Sequence, residues 1–295
     1  MRKIKTLTSL FLSFMLCGVF FACKGQNEEL STPSPPSDSS QISSPEQEES
    51  ADTGNNSESS SNSSSAPNAP EKEEVEESIP TVTVSKAEYI RCTGDNVNIR
   101  SGAGTSYSVL GSAEKGTMYA VIEKKGNWYK TYYRNKVAYI NASYAAVVSL
   151  EKTKDDDVED VLSEGYKLIG VPYVYGAVRL HDGKGKLLSG FSAQKFDCSS
   201  LVQYVFYHGS DTLLNTTTRT QVVQGKYVSK NNLQRGDCIY FTNEDRQYNT
   251  GIERVGHVAI YLGNNYILHT ASDYARIEQL SSKRWSYYIE ARRFV

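Results

Sequence analysis

The 295 residues, of which 39% are hydrophobic and 22% charged, predict about two globular domains. A net charge of −2 with no long basic run argues against a general nucleic-acid-binding protein. Ligand-spaced Cys or His pairs and glycine-rich phosphate loops are also missing from the sequence, so we expect neither a metal nor a nucleotide cofactor.

The first 23 residues are predicted to be an export signal. A basic start precedes an apolar run over residues 7–21, which is too short to cross a hydrocarbon core of about 30 Å. The run ends at Ala22-Cys23, which resembles the lipobox of bacterial lipoproteins, although Phe20 stands where these usually have Leu. The resemblance implies lipidation of Cys23 and an anchor on the outer face of the bacterial cell membrane. An ordinary cleaved signal is the alternative.

Residues 24–80 are predicted to be a disordered linker. They hold seven of the eight prolines and sixteen serines, and they contain no aromatic residue. Thirteen acidic residues and two lysines give them a charge of −11. Such a segment buries too little apolar surface to offset the entropy lost on ordering, so we expect a tether.

Residues 81–149 are predicted to form a small all-β domain. Val97 and Ile99 alternate with asparagines, two more β-rich runs cover 118–122 and 128–133, and glycines punctuate the segment. The stretch from Asn96 to Gly102 resembles the signature of bacterial SH3-type domains, as does Gly126-Asn127-Trp128-Tyr129-Lys130. The resemblance implies a small barrel that targets or positions an enzyme.

Residues 150–295 are predicted to form an α+β domain. Acidic residues precede an apolar helical face that starts at Val158 and should end near Gly170, since Pro172 disfavours helix in the residue before it. A second helix should begin at Asp197-Cys198. Strands are predicted over 238–242, 257–262, 266–271 and 287–295, so helices come first and strands later.

Cys198 is the candidate nucleophile. With Asp197 as the N-cap, the thiol lies in the first turn of a helix, where free N–H groups favour the thiolate and should lower the pKa. A packed, inert cysteine is the alternative. Without Cys17 and Cys23, three cysteines remain in the exported chain, so at least one is unpaired within the chain. A disulfide between the other two, Cys92 and Cys238, is possible.

His257 is the candidate base. It alternates with apolar residues along a predicted strand, and His269 lies on the strand that returns. If Gly263-Asn264-Asn265 form the loop, Leu262 pairs with Tyr266 and the two histidines share a face. A two-residue loop would put them on opposite faces. One ring could then orient the other, as in nucleophile–base–orienter triads. The alternative is a pair of exposed cross-strand residues.

Six ordered motifs carry a resemblance to the NlpC-type cell-wall peptidases of the NlpC/P60 family, which have a papain-like fold. The motifs are Gly170–Gly176, Phe196–Val205, Arg235–Phe241, Gly256–Gly263, His269 and Ala291–Val295. The resemblance covers about residues 157–295. It implies a cysteine peptidase with Cys198, His257 and His269 as catalytic residues. Members mostly cleave the bond between a D-glutamate, linked through its side chain, and a diamino acid of peptidoglycan stem peptides.

The resemblance also implies substrate-binding residues. Tyr173 matches a tyrosine that lines the catalytic centre, and Thr220 belongs to a segment near the cleft. Asp197 and Ser199 match positions that hold the free amine of an N-terminal L-alanine in better-studied relatives. Residues 177–196 are longer than usual and should form a loop bordering the cleft. The expected partners are stem peptides and a membrane, with no nucleic acid and no obligate protein. An inactive, wall-binding protein and an enzyme acting on another acyl substrate are the alternatives.

Overall fold

Strands dominate the computed structural model, which describes residues 85–295. The predicted signal peptide, the lipidation site Cys23 and the linker over 24–80 lie outside the described residues. The strands are β1 Lys86–Cys92, β2 Val97–Arg100, β3 Val109–Ala113, β4 Met118–Ala120, β5 Glu123–Lys125, β6 Trp128–Tyr133, β7 Lys136–Asn141, β8 Ala145–Glu151, β9 Lys226–Val228, β10 Cys238–Phe241, β11 His257–Gly263, β12 Tyr266–Ala271, β13 Tyr274–Gln279 and β14 Tyr288–Arg293. The α-helices are α1 Asp156–Lys167, α2 Cys198–Ser210, α3 Thr218–Gln221 and α4 Ser282–Ser286.

These strands form two sheets. The larger has the order β8-β1-β4-β13-β12-β11-β10-β14-β9, and the smaller has the order β3-β2-β7-β6-β5. The larger sheet joins the predicted barrel to the C-terminal region, because Met118 of β4 pairs with Ile277 of β13. The predicted domain boundary at 149–150 falls inside β8, which pairs with β1 along its length. The two regions therefore share a continuous sheet.

Two helices pack together against this sheet. Asp155 caps α1 by accepting hydrogen bonds from the N–H groups of Asp157 and Val158. The helices approach closely at Gly209 of α2, where a Cβ would lie 2.4 Å from Cα of Val161. A side chain there would force the helices apart, so glycine is required by the packing.

Helix α2 begins where the sequence predicts. Asp197 is its N-cap and accepts a hydrogen bond from the N–H of Ser200, whose hydroxyl in turn accepts from the N–H of Asp197. This reciprocal capping box satisfies two backbone donors at the start of the helix. Cys198 is the first helical residue, so the cap fixes the direction in which its side chain leaves the backbone.

The turn between β11 and β12 differs from the prediction. Gly263, not Leu262, pairs with Tyr266, and the turn consists of Asn264 and Asn265 with positive φ angles of 48° and 63°. Asparagine tolerates this left-handed conformation better than most residues. The predicted pairing of Leu262 with Tyr266 is therefore wrong.

A β-bulge compensates for the shorter turn. Tyr261 pairs with Ile267, and the next pair is Gly263 with Tyr266, so Leu262 is an extra residue on β11. The extra residue shifts the alternation of side chains along β11 by one position. His257 and His269 therefore lie on the same face of the sheet, whereas a two-residue turn alone would have put them on opposite faces. Nη1 of Arg235 donates a hydrogen bond of 3.0 Å to the carbonyl of Leu262.

Candidate active site

A cavity of about 520 Å³ opens at the start of α2. Its lining includes Cys198, the two residues next to it in the sequence, Asp197 and Ser199, and Tyr173. Arg179, from the predicted loop over 177–196, also lines the cavity. Within residues 85–295, no three His, Cys, Asp or Glu side chains converge as metal ligands.

The Cys198 thiol is buried beside β11. The N–H groups of Val258 and Ser199 point at its sulfur. Burial and, to a smaller extent, the Asp197 carboxylate nevertheless raise the pKa of Cys198 to about 12, and the two N–H groups and Arg179 offset only part of the effect. The predicted lowering of the pKa is wrong, because desolvation outweighs the stabilisation that a helix start gives a thiolate. The resting group is a neutral thiol.

The two predicted histidines share a buried face. Nε2 of His257 lies 2.9 Å from Nδ1 of His269, and the rings are nearly perpendicular at 80°. Their juxtaposition confirms the predicted shared face, although the bulge at Leu262 produces it. The hydrogen bond occupies Nε2 of His257 and leaves Nδ1 for a proton from another group. Val258, whose N–H reaches the Cys198 sulfur, directly follows His257.

Both rings are held neutral. Burial lowers the pKa of His257 well below its ordinary value, and the neighbouring His269 and Arg284 lower it further. Burial also lowers the pKa of His269, although Glu278 opposes the shift. A neutral imidazole is the form that accepts a proton, so His257 is available as a base below its ordinary titration range.

Glu278 extends this cluster and was not among the predicted residues. Its Oε1 lies 3.2 Å from Nε2 of His269 and 3.0 Å from Nη2 of Arg284. Burial alone would raise the pKa of Glu278, but its contact with His269 and the nearby arginines Arg284 and Arg276 lower it to about 2. The residue is therefore a carboxylate. We name His257, His269, Glu278 and Arg284 the histidine relay.

A sequence signal for Glu278 existed. Ala271 pairs with Tyr274 across a two-residue turn, and His269 pairs with Arg276. Period-two alternation then places Glu278 on the same face as Arg276 and diagonal to His269. Extending the strand prediction past Ala271 would have found this carboxylate.

Asp197 is already occupied on the cavity side. Its Oδ1 accepts hydrogen bonds from the N–H of Ser200 at 2.8 Å and from the Ser199 hydroxyl at 3.1 Å. Its Oδ2 lies 2.8 Å from Nη2 of Arg179, which also donates to the Ser199 hydroxyl at 3.0 Å. The predicted ammonium site thus holds the guanidinium of Arg179.

Arg179 is fixed by two further bonds. Nε donates to the carbonyl of Thr216 at 2.7 Å, and Nη1 donates to the carbonyl of Ala177 at 2.6 Å. All three guanidinium nitrogens therefore have acceptors. The loop over 177–196 borders the cleft as expected, and it supplies a cation that the strand and helix patterns could not place.

Of the two remaining predicted binding residues, one lines the cavity and the other does not. Tyr173 lines the cavity, and burial raises its pKa to about 12, so its hydroxyl stays protonated as a donor. Thr220 is exposed and does not line the cavity. Its hydroxyl instead bonds to Thr217, the N-cap of α3, while Thr217, Thr218 and Arg219 reach the cleft.

The chain matches two family models. Residues 170–293 match the NlpC/P60 family, and residues 95–146 match the bacterial SH3 domain. These matches confirm the predicted fold class, which is a papain-like α+β domain preceded by an SH3-like barrel.

Three curated relatives resemble this chain over part of its length. A gamma-DL-glutamyl hydrolase of Bacillus subtilis is 36% identical over 126 residues, which cover 42% of this chain and 26% of that protein. The peptidoglycan DL-endopeptidase CwlO of Bacillus licheniformis is 30% identical over 49% of this chain and 29% of its own. A gamma-D-glutamyl-L-lysine dipeptidyl-peptidase of Bacillus subtilis is 26% identical over 56% and 48%. The chain thus spans about a quarter to a half of these relatives.

Proposed function

This chain carries an NlpC/P60 domain behind a bacterial SH3 domain, and we propose from that premise that it is a peptidoglycan hydrolase with Cys198 as nucleophile. The observation that carries the proposal is that the Cys198 thiol lies beside β11, the strand that holds His257. A thiol opens the first turn of α2, and an adjoining strand holds a neutral imidazole that a second imidazole orients.

In the proposed first step, His257 acts as a general base. Its Nδ1 takes the thiol proton as the Cys198 sulfur bonds to the carbonyl carbon of a stem-peptide amide. The carbonyl oxygen becomes an oxyanion, which backbone N–H groups at the start of α2 would stabilise by about 3 kcal/mol each. The C–N bond then breaks, and His257 returns the proton to the departing amine.

A thioester joins Cys198 to the acyl half of the substrate after this step. Water attacks the thioester carbonyl, His257 takes a proton from the water, and the sulfur leaves as a thiol when it regains that proton. The products are a free carboxylic acid and a free amine. Because thiol and imidazole are both neutral at rest, charge separates only while the substrate is bound and reacting.

The bond we propose is the γ-D-glutamyl bond to a diamino acid. The support is that two of the three relatives are named for a γ-glutamyl bond and the third is named a DL-endopeptidase of peptidoglycan. Arg219 and Arg246 line the same cavity and share Glu253, so the rim offers cations to a stem peptide that carries free carboxylates.

The pairing of Arg179 with Asp197 bears on which stems fit. A free alanine ammonium would have to displace a guanidinium that has four acceptors around it. We therefore propose that the substrate is a stem whose alanine nitrogen is part of an amide, as in intact wall, and that Asp197, Ser199 and Tyr173 form the wall of its subsite. Such a substrate places the enzyme outside the cytoplasm, which agrees with the predicted export signal and anchor at Cys23.

The test is hydrolysis of purified wall. Cys198→Ala should abolish release of stem fragments detected by mass spectrometry, because the thioester can no longer form. Cys238→Ala is the matched control, since Cys238 is a second buried thiol in the described chain and lies in the core of β10. Undiminished release by Cys198→Ala would refute the proposal.

A further inference from the structure

We infer that Glu278 is a positioning residue that sets the proton arrangement of both histidines and so keeps Nδ1 of His257 free to act as a base. The inference rests on the function proposed above, because it assigns a role within the same site. It adds a fourth member to the predicted set of Cys198, His257 and His269.

Glu278 contacts the ring nitrogen of His269 that does not face His257. Glu278 faces Nε2 of His269 at 3.2 Å, within ion-pair distance, although the ring N–H is not well aligned with the carboxylate oxygen. A carboxylate only accepts, so the proton on this ring lies on Nε2. Nδ1 of His269 then carries a lone pair.

The hydrogen bond between the two rings then fixes the tautomer of His257. Because Nδ1 of His269 is an acceptor, Nε2 of His257 must be the donor across the 2.9 Å contact. A neutral imidazole holds a single ring proton, so Nδ1 of His257 is left with its lone pair. That nitrogen is the one not engaged by His269, and it is the one the proposed mechanism needs.

The opposite arrangement would disable the base. If the proton of His269 moved to Nδ1, that ring would donate to Nε2 of His257, and the proton of His257 would move to Nδ1. The ring could then no longer accept the thiol proton. Loss of an orienting carboxylate has this consequence because it permits the wrong tautomer.

The surroundings of Glu278 keep it ionised and in place. Arg284 of α4 binds the same Oε1 at 3.0 Å, and Arg276 lies two residues earlier on the same strand face, where it is paired with Asp273. The side chain of Glu278 is 31% exposed, while that of His269 is 1% exposed. The carboxylate thus links a buried ring to a charged rim.

The experiment compares Glu278→Ala with Glu278→Gln in the full-length chain. On a defined stem peptide, Glu278→Ala should lower kcat by roughly 10- to 100-fold with little change in KM, as for other outer partners of functional histidines. Glu278→Gln keeps an oxygen that accepts from His269 and should recover much of this loss. Glu290→Ala is the matched control, because Glu290 is a similarly half-buried, arginine-paired residue on β14.

Nitrogen-15 NMR of the histidine rings supplies a readout independent of turnover. The chain has only four histidines, and His257→Ala and His269→Ala identify the two signals. The wild type and Glu278→Gln should show a proton on Nε2 and a lone pair on Nδ1 of His257, and Glu278→Ala should show a mixture. An unchanged tautomer together with unchanged kcat in Glu278→Ala would overturn the inference. A wild type that does not cleave stems would instead defeat the proposed function, while the NMR comparison would still test Glu278.

Discussion

Two buried polar networks in this molecule each pair an arginine with a glutamate, yet they differ in how completely their atoms are satisfied. We name the first, formed by Tyr89, Glu159, Tyr166 and Arg235, the Arg235 network. Arg235 donates to both oxygens of Glu159 at 2.7 and 3.0 Å and to the hydroxyls of Tyr89 and Tyr166. It joins the barrel strand β1 to helix α1 and the loop before β10.

The histidine relay is less complete. Nε2 of His269 lacks a well-aligned partner, as do Nε of Arg276 and the hydroxyl of Thr270 beside it. No atom of the Arg235 network is among the unpartnered buried atoms of residues 85–295. Fully satisfied buried networks rigidify a fold. We therefore expect the Arg235 network to govern stability, whereas the proposed chemistry belongs to the histidine relay.

The two networks also meet. Nη1 of Arg235 binds the carbonyl of Leu262, the extra residue of the bulge that keeps His257 and His269 on one face. The structural network therefore holds the register on which the relay depends.

The largest expected effect is on the Arg235 network. Arg235→Ala should lower the free energy of unfolding by about 3–5 kcal/mol, because it leaves the largely buried carboxylate of Glu159 without its charge partner. Urea unfolding of the full-length chain measures this loss. A double-mutant cycle with Glu159→Gln should be strongly non-additive. A loss below about 1 kcal/mol would remove the distinction between the two networks.

The protonation state of the histidine relay should determine the pH dependence of kcat/KM. Because its pKa is lowered in the folded protein, His257 stays neutral at pH 6.5, the ordinary pKa of histidine, and somewhat below it. The Cys198 thiol loses its proton only near pH 12. Activity should thus stay flat from pH 6.5 into the alkaline range and fall only at clearly acidic pH. Loss of activity at mildly alkaline pH would show that a preformed thiolate–imidazolium pair is the active form.

A stability measurement at each pH serves as the control. The unfolded chain protonates both histidines as the pH falls through 6.5, while the folded chain keeps the rings neutral. Folded pKa values below the unfolded ones mean that stability is lost as the pH falls below about 6.5. Thermal melts therefore separate protonation of the base from unfolding.

The smallest effect concerns substrate choice at Arg179. Arg179→Leu leaves the Asp197 carboxylate without its ion-pair partner, so the preference for an N-acetylated stem peptide over one with a free alanine amine should fall by about tenfold, the value of one charge-assisted hydrogen bond. Arg219→Leu removes another cavity-lining arginine without touching Asp197 and should leave the preference unchanged. An unaltered preference in Arg179→Leu would show that Arg179 does not exclude the amine.

The parts of the site that follow local rules were predictable. Asp197 and Ser200 form the cap that starts α2, so the position of Cys198 follows from capping chemistry. The shared face of His257 and His269 follows from strand alternation, but only because the bulge at Leu262 corrects a turn that was one residue shorter than predicted.

The parts that depend on tertiary contacts were not predictable. The carbonyl of Leu262 accepts a hydrogen bond from Arg235, which lies 27 positions away, and no local sequence pattern predicts that bond. Arg179 lies in an irregular loop, where neither helical nor strand periodicity orients a side chain. The high pKa of Cys198 arises from burial beside β11, which outweighs the helix start that the sequence displays.

The most direct test of the central claim is to trap the thioester. Full-length protein turning over a defined stem peptide is quenched in acid and digested, and the fragment containing Cys198 is weighed. We predict that this fragment gains the mass of the acyl half of the substrate, and that the gain disappears in Cys198→Ala. Rapid cleavage without any adduct on Cys198, combined with full activity of Cys198→Ala, would contradict the assignment of the sulfur as nucleophile.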